Sequence, residues 1–504
     1  NRRSSIFVGP QIRIMPVPSG SWSGAVDGEI DRARCCTVGW QRCPVHFLER
    51  VLRQANHRSL KLSSIMKTPT SKGTGQTASR REFLKLSSLA AAVSGLSLSR
   101  AAHAAGSDRL RVGLIGCGNR GTGAAIDALD ADPGVHLVAM ADTFADRLAA
   151  SLEKIKARAQ ERVLVDADHS FVGFDGYRRV IESSDVVLIA CASRFHPKYL
   201  RAAVDAGKHV FVEKPHGIDP AGVRATQAAA DLARTKGLSV VSGLHNRFDA
   251  GVRETVQRIH DGQIGDVVAM EVNFLRAPYV LVERQPGWSE TEYQFRNWYH
   301  FSWLSGDDVT QSLVHNLDKA CWVMREEPPL KAHGLGGRSA SFGPIYGDMF
   351  DHHSVVYEYA NGTRLYAFCR TQKECYGGIS DHIIGTKGRA SLLNYMIRGE
   401  KNWDFSGKPP NPYKQEHREF FAGIRAGKPL NSGVYMANST MVAVLGQIVC
   451  YTGRQLGWKK AIASDFAFPP EGEINFNTNS PVQPGPDGQY PLAVPGKTKL
   501  IAGT

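Results

Sequence analysis

The sequence predicts an α/β protein in two folded halves. A doubly wound parallel sheet comes first, then an α+β unit built on a large, mostly antiparallel open sheet. Three observations carry this expectation. Continuous apolar runs alternate with helical stretches from Leu110 to Val241, as in a parallel sheet covered on both faces. A glycine turn of G-x-G-x-x-G spacing follows the first of those runs. Later in the chain, shorter runs flank Asn361-Gly362, a strong hairpin signal.

The elements follow in order. Leu110–Ile115 reads as a buried strand, and Gly116-Cys117-Gly118-Asn119-Arg120-Gly121 follows at once. An Ala-rich helix then runs to about Leu129. Gly116 permits a tight turn, Gly118 lets backbone approach a pyrophosphate, and Gly121 lets the helix pack close to the strand. Strand, turn and helix together give the context that a Rossmann dinucleotide-binding fingerprint requires. His136–Ala141 is the second strand, and Asp142 ends it, where an acid accepts ribose hydroxyls. An acid there repels a 2′-phosphate, so NAD is favoured, while Arg147 leaves NADP open. A surface Asp capping the next helix is the structural alternative. Helices are expected at 145–159, 197–206 and 220–236, and strands at 185–190, 209–212 and 238–241. In the second half, 267–274, 354–359 and 364–368 read as strands, and 434–451 as a helix packing back toward the first domain. The tail from Pro469 is rich in Pro and Gly and is expected to be extended.

Charge argues against a nucleic-acid partner. Of the formal net charge of +13, +11 lies in residues 1–105, so the remainder is close to neutral and shows no basic stripe. No uninterrupted apolar run reaches spanning length, so no stable membrane span is expected. Ser79-Arg80-Arg81-Glu82-Phe83-Leu84-Lys85 matches a twin-arginine export motif. A moderately apolar stretch, Leu86–Leu98, and the small-x-small site Ala102-His103-Ala104 follow it. Export to a periplasm by the twin-arginine machinery is therefore expected, with residues 66–104 as signal peptide. Translation is expected to start at Met66, with 1–65 an over-extended or unstructured N-terminus. The scattered cysteines do not have the spacing of a zinc site, and no metal is expected. Most read as buried small hydrophobes, with a Cys369–Cys375 disulfide open in an oxidising compartment.

Ala206-Gly207-Lys208-His209-Val210-Phe211-Val212-Glu213-Lys214-Pro215, taken with the glycine turn, resembles the Gfo/Idh/MocA oxidoreductases. That family is named for glucose-fructose oxidoreductase and inositol dehydrogenase. Gly262-Gln263-Ile264-Gly265, Gly385-Thr386-Lys387-Gly388 and Thr452-Gly453-Arg454 extend the resemblance to about Trp458. It implies a Rossmann domain over 107–236 and a substrate and oligomerisation domain over 237–468. It also implies a homo-oligomer, a dimer or tetramer, formed through the outer face of the second sheet.

The resemblance places Lys214 beside the nicotinamide, in contact with the reacting hydroxyl. It places Ser193, His196 and Glu213 with the glycine-turn residues at the cofactor. Gly306-Asp307-Asp308-Val309-Thr310-Gln311-Ser312-Leu313-Val314-His315-Asn316-Leu317-Asp318 resembles the family's lead into Asp-x-x-x-His-x-x-Asp. His315 takes the catalytic position and Asp318 the following acid. Gln311 stands where many members have Asp, which puts an Asp–His relay in doubt. Residues three and four apart share a helix face, so Gln311, His315 and Asp318 are expected to converge. Asn246, Arg247, Trp298 and Tyr299 are expected at the substrate, with core packing the alternative for the aromatics. The activity implied is hydride transfer between tightly held NAD, or NADP, and a hydroxyl carbon of a sugar, cyclitol or derivative. Glycoside cleavage by transient oxidation, or a cofactor-binding regulator without catalysis, are the rival readings.

Overall fold

The computed structural model describes residues 108–502. The expected signal and start site lie outside those residues. Six parallel strands form the first sheet: β1 (Leu110–Ile115), β2 (Val135–Asp142), β3 (Ser170–Val172), β4 (Val186–Ile189), β5 (His209–Val212) and β6 (Val240–Ser242). Their order is 3-2-1-4-5-6, so the direction of winding reverses between β1 and β4 and opens a crevice there. Every residue of β4 is buried, which explains its unbroken apolar run. Helices α1 (Asn119–Ala131), α2 (Ala145–Ala159), α3 (Gly176–Ser183), α4 (His196–Asp205) and α5 (Pro220–Lys236) alternate with the strands. Helix α5 shows why the sequence starts and stops it there. The Asp219 carboxylate accepts from Gly222 N–H, Pro220 fits the first turn, and Gly237 ends the helix at φ 67°. Because β6 belongs to this sheet, the first domain runs past the expected boundary at 236 to Ser242.

The second sheet has nine strands in the order 14-13-12-11-7-10-9-8-15. They are β7 (Val267–Arg276), β8 (Lys331–Gly337), β9 (His352–Glu358), β10 (Arg364–Thr371), β11 (Gly378–Gly385), β12 (Gly388–Ser391), β13 (Met396–Gly399), β14 (Trp403–Asp404) and β15 (Leu456–Gly457). All neighbours are antiparallel except β7 and β10. The expected hairpin is present. Tyr359 N–H donates to Thr363 O at 2.9 Å, and Gly362 takes φ 89°. Helices α6 (Ala250–His260), α7 (Glu290–Arg296), α8 (Val314–Val323), α9 (Pro412–Arg425) and α10 (Gly433–Thr452) complete the unit.

Helices α8 and α10 pack against each other and on the inner face of this sheet, and α10 also packs on α5 of the first domain. Helix α10 bears on the expectation of no stable membrane span. Its 20 residues are long and apolar enough, at a mean hydropathy of 1.4, to match a membrane span. However, 83% of that window is buried inside the protein, which makes it a core helix. The outer face of the sheet leaves Leu335, Tyr366 and Ile384 exposed.

The six described cysteines are all free. Cys369 faces the interior with Sγ 3.5 Å from His353 Nδ1, whereas Cys375 is exposed, so the Cys369–Cys375 pairing does not form. The tail from Pro469 has no helix or strand among the described residues, as expected.

Candidate active site

The glycine turn is built by backbone crowding. Gly116 sits at φ 95°, and a side chain there would meet Cys191 N at 2.5 Å. A side chain at Gly121 would strike Gly116 O at 1.9 Å. Gly118, the residue before α1, has nothing within 4 Å of its would-be Cβ. Two glycines therefore close the turn, and the third leaves open space beside helix-terminal N–H groups, which suits a pyrophosphate. Asp142 ends β2 as expected. Its carboxylate accepts from Cys117 N–H at 2.7 Å and Phe144 N–H at 2.9 Å. Burial raises its pKa, against the pull of those two bonds.

These residues line a cleft of about 510 Å³ at the crevice between β1 and β4. Gly116, Cys117, Gly118, Asn119, Arg120 and Asp142 form one wall. Tyr279, Trp298 and Tyr299 face them from the second domain. Tyr299 stacks on Tyr279 at 4.1 Å between centroids and on Trp298 at 3.9 Å. Both expected aromatics line the cavity, and Trp298 also packs against a core cluster. Neighbouring Asn297 is structural: it donates to Ile345 O and accepts from Val282 N–H.

Lys214 and His315 interact through charge, and neither lines the cleft itself. Lys214 follows β5, and the peptide bond to Pro215 is cis. Its Nζ donates to Gln311 O at 2.7 Å, one turn before His315. Tyr279 of the cleft wall donates to the same carbonyl at 3.4 Å. The His315 ring is partly buried, and its Nδ1 has no partner within the protein. Burial, then the charge of Lys214, holds its pKa well below the ordinary value, so the ring is neutral.

Seven of the expected site residues are held within the protein. Gln311 does not face a substrate: it is buried, and its amide donates to Ser193 Oγ at 2.8 Å and to Ser305 O at 2.5 Å. Residues 309–313 form a π-helical turn, so the α-helical spacing that was to bring Gln311 beside His315 does not apply. Ser193 is accordingly buried as the partner of Gln311 rather than open to a cofactor. Asp318 and Arg247 pair with each other at 2.8 Å, both buried. Asp318 also accepts from Ser439 Oγ, and Arg247 reaches Glu326 and lies over the rings of Trp322 and Tyr435. That leaves neither free for chemistry or recognition.

His196 is buried with Nδ1 2.7 Å from Pro215 O and Nε2 3.0 Å from Cys191 O, so it braces two loops. Arg120 borders the cleft, yet its Nε lies 2.5 Å from Glu213 Oε1, and Glu416 and Asp127 are close by. Glu213 is therefore a buried counter-ion, tying the glycine turn to the strand before Lys214. Asn246 is also buried, and its backbone carbonyl accepts from Asp249 N–H.

Several residues join the site without a motif to mark them. The His245 ring lies edge-on to His315 at 5.0 Å and stacks on Tyr413 at 4.1 Å. Burial, helped by Lys319, lowers the His245 pKa to about 3, and its Nδ1 is also unpartnered. Lys319 pairs with Asp381 at 3.3 Å, both buried. Its position four residues after His315 was legible as the same helix face. His245 and Tyr413 come from distant segments, and only the fold joins them.

The family model described as "Oxidoreductase family, NAD-binding Rossmann fold" (GFO_IDH_MocA) matches residues 110–243. Its companion, "Oxidoreductase family, C-terminal alpha/beta domain", matches residues 256–435. Inositol 2-dehydrogenase of Salmonella typhimurium is 22% identical over 334 residues, covering 64% of this chain and 87% of that protein. Inositol 2-dehydrogenase 3 of Saccharopolyspora erythraea is 30% identical over 221 residues, covering 43% of this chain and 54% of that protein. Among solved structures, aldose-aldose oxidoreductase from Caulobacter crescentus has a TM-score of 0.54 at 17% identity, covering 69% of this chain and 99% of that one. Apo scyllo-inositol dehydrogenase from Lactobacillus casei has a TM-score of 0.53 at 17% identity, with coverage of 70% and 98%. These superpositions show a shared fold.

Proposed function

The chain belongs to the Gfo/Idh/MocA oxidoreductase family, and from that premise we propose that it is a dehydrogenase acting on a hydroxyl carbon of a cyclitol or sugar, with NAD held tightly in the cleft. The observation that carries this reading is a conjunction. A glycine turn has one glycine open to the cleft; a lysine ammonium bonds the Gln311 carbonyl that Tyr279 of the cleft wall also reaches; and a neutral imidazole nitrogen without a partner lies within reach of the charges of Lys214 and Arg120.

The residues fit the cofactor. Gly118 leaves the approach clear, the start of α1 faces it, and Asp142 offers a carboxylate for ribose hydroxyls. Bound nicotinamide supplies the hydride acceptor. The protein handles the proton. His315 takes the hydroxyl proton at Nδ1, and because its pKa is depressed it is in base form at neutral pH. Lys214 keeps N–H groups beyond the one given to Gln311 O, and these steady the substrate oxygen as charge develops on it. Tyr279, Trp298 and Tyr299 supply flat apolar faces for a sugar or nicotinamide ring. The curated relatives are named inositol dehydrogenases, which supports a cyclitol as the first substrate to try.

The test is purification of the full chain, followed by absorbance of bound nicotinamide during a screen of cyclitols and sugars. Reduction by one compound is the expected result. Release of a glycoside product without net reduction would replace this reading with redox-assisted hydrolysis. A protein that binds the dinucleotide yet acts on nothing in the screen would favour a regulator.

Two further elements belong to the same proposal. The twin-arginine motif at Ser79–Lys85 supports export, which replacing Arg80 and Arg81 by Lys would block in a cell fractionation. The exposed outer face of the second sheet supports self-association, which light scattering of a Tyr366→Glu variant would test.

A further inference from the structure

The segment after Ile462 lies beyond both matched family modules, yet it touches both domains. On the first domain, Phe468 N–H donates to Asp219 Oδ2 at 3.0 Å. Arg194 Nη1 donates to Pro469 O at 3.0 Å. On the second, Thr291 Oγ1 donates to Thr478 O at 2.5 Å and Gln294 Nε2 to Val482 O at 2.7 Å. Tyr490 OH donates to Glu290 Oε1 at 2.6 Å. A chain without helix or strand has few internal bonds to hold it, so these anchors fix its path.

Between the two sets of anchors sits Phe476. Its ring stacks on Phe144 at 5.5 Å and meets Phe174 edge-on at 4.9 Å. Both partners line the cleft. Phe144 matters most, because its N–H is one of the two donors that orient the Asp142 carboxylate. The guanidinium groups of Arg296 and Arg147 lie over the same Phe144 ring at 4.0 and 5.0 Å. Phe476 thus backs the part of the wall that carries the proposed ribose contact.

We propose that Phe476 is a positioning residue for the dinucleotide. By holding the Phe144 ring it fixes the Asp142 carboxylate, and so it sets how long the cofactor stays and how strongly NAD is preferred over NADP. This rests on the nicotinamide reading of the cleft. No residue of this segment lines the cleft, so its effect on cofactor release acts through the wall that Phe476 backs, without any contact to the cofactor itself.

The experiment uses full-length protein loaded with NADH or NADPH, with release followed by nicotinamide fluorescence after adding excess oxidised cofactor. Phe476→Ala is expected to speed NADH release about tenfold, the order of one aromatic pair. NADPH release should change less, because the carboxylate disfavours the 2′-phosphate, so the preference between the two narrows. Phe476→Leu and Tyr490→Phe, which keep bulk, should shift NADH release in the same direction by about threefold. They decide the matter if the alanine variant does not fold. Unchanged release in those two variants, or equal acceleration for both cofactors, overturns the inference and leaves the dehydrogenase reading standing. Wild-type protein that binds neither cofactor overturns both.

Discussion

The glycine turn and the 306–318 segment each carry a motif, but different physics builds them. In the turn, two glycines are required by backbone atoms, Gly116 by Cys191 N and Gly121 by Gly116 O, while Gly118 leaves open space. Backbone geometry depends little on the surrounding side chains, so spacing alone predicts it. In the second segment the outcome depends on which side chains find partners. Gln311 is taken by Ser193 and Ser305, Asp318 by Arg247, and only His315 keeps an unpartnered nitrogen. A buried polar group is satisfied by whatever lies nearest, and a neighbour at long sequence separation cannot be seen in a motif.

The largest effects should fall on the two residues that stay available. Lys214→Ala and His315→Asn are expected to lower kcat by about 10²–10⁴-fold, the range of positioned acid–base groups, with NADH affinity nearly unchanged. Gln311→Ala is expected to act mainly on stability, measured by thermal unfolding, since its amide bonds are internal. An equal kcat loss for Gln311→Ala at unchanged stability would break the contrast drawn here.

Next comes the ion pair. Arg247→Met leaves Asp318 buried without its cation, which should cost about 3–5 kcal/mol in denaturant unfolding. The folded fraction should keep its substrate KM. A raised KM in a stable variant would return Arg247 to the substrate.

This pairing shows where legibility ended. The strands of the first sheet other than β3, the turn, the place of Asp142 at the end of β2 and the hairpin at Asn361-Gly362 were readable because propensity, period and glycine geometry are local. The partnership of Arg247 with Asp318 spans 71 residues, and that of Arg120 with Glu213 spans 93. Neither is a local property. His245 and Tyr413 escaped for the same reason. The placement of Gln311 failed on a single local feature, the π turn over 309–313, which no residue type announces.

A smaller effect separates two glycines of the same turn. Gly118→Ala puts a methyl group into open space, so thermal stability should hold while NADH affinity falls about tenfold. Gly121→Ala drives a methyl into a backbone oxygen, so stability and affinity should fall together. Titration with NADH alongside melting curves reads both. If Gly118→Ala bound NADH as well as wild type, that space would not be where the pyrophosphate lies.

The smallest effect sharpens the comparison through pH. His315 and His417 are both held neutral by burial, but for different ends. His315 has an unpartnered nitrogen beside Lys214, whereas His417 packs between Phe211 at 4.4 Å and Phe421 at 6.2 Å, with neither nitrogen bonded. Burial takes the His417 pKa down to about 3, against about 6.5 for an unfolded chain. Between those values the unfolded state binds a proton that the native state does not, so stability rises with pH. The contribution is complete above about pH 6.5 and is lost as pH falls toward 3. His417→Phe should therefore flatten the acid side of the stability curve in urea unfolding. At neutral pH it should change stability by only about 1 kcal/mol, because two unsatisfied polar atoms are removed along with the shape they filled. The acid limb of kcat/KM should not move in this variant, since it reports His315 and lies below pH 6.5 in both proteins. A limb that moved with His417→Phe would mean that the two imidazoles share one proton-linked transition, and the division between a structural and a reactive histidine would fail.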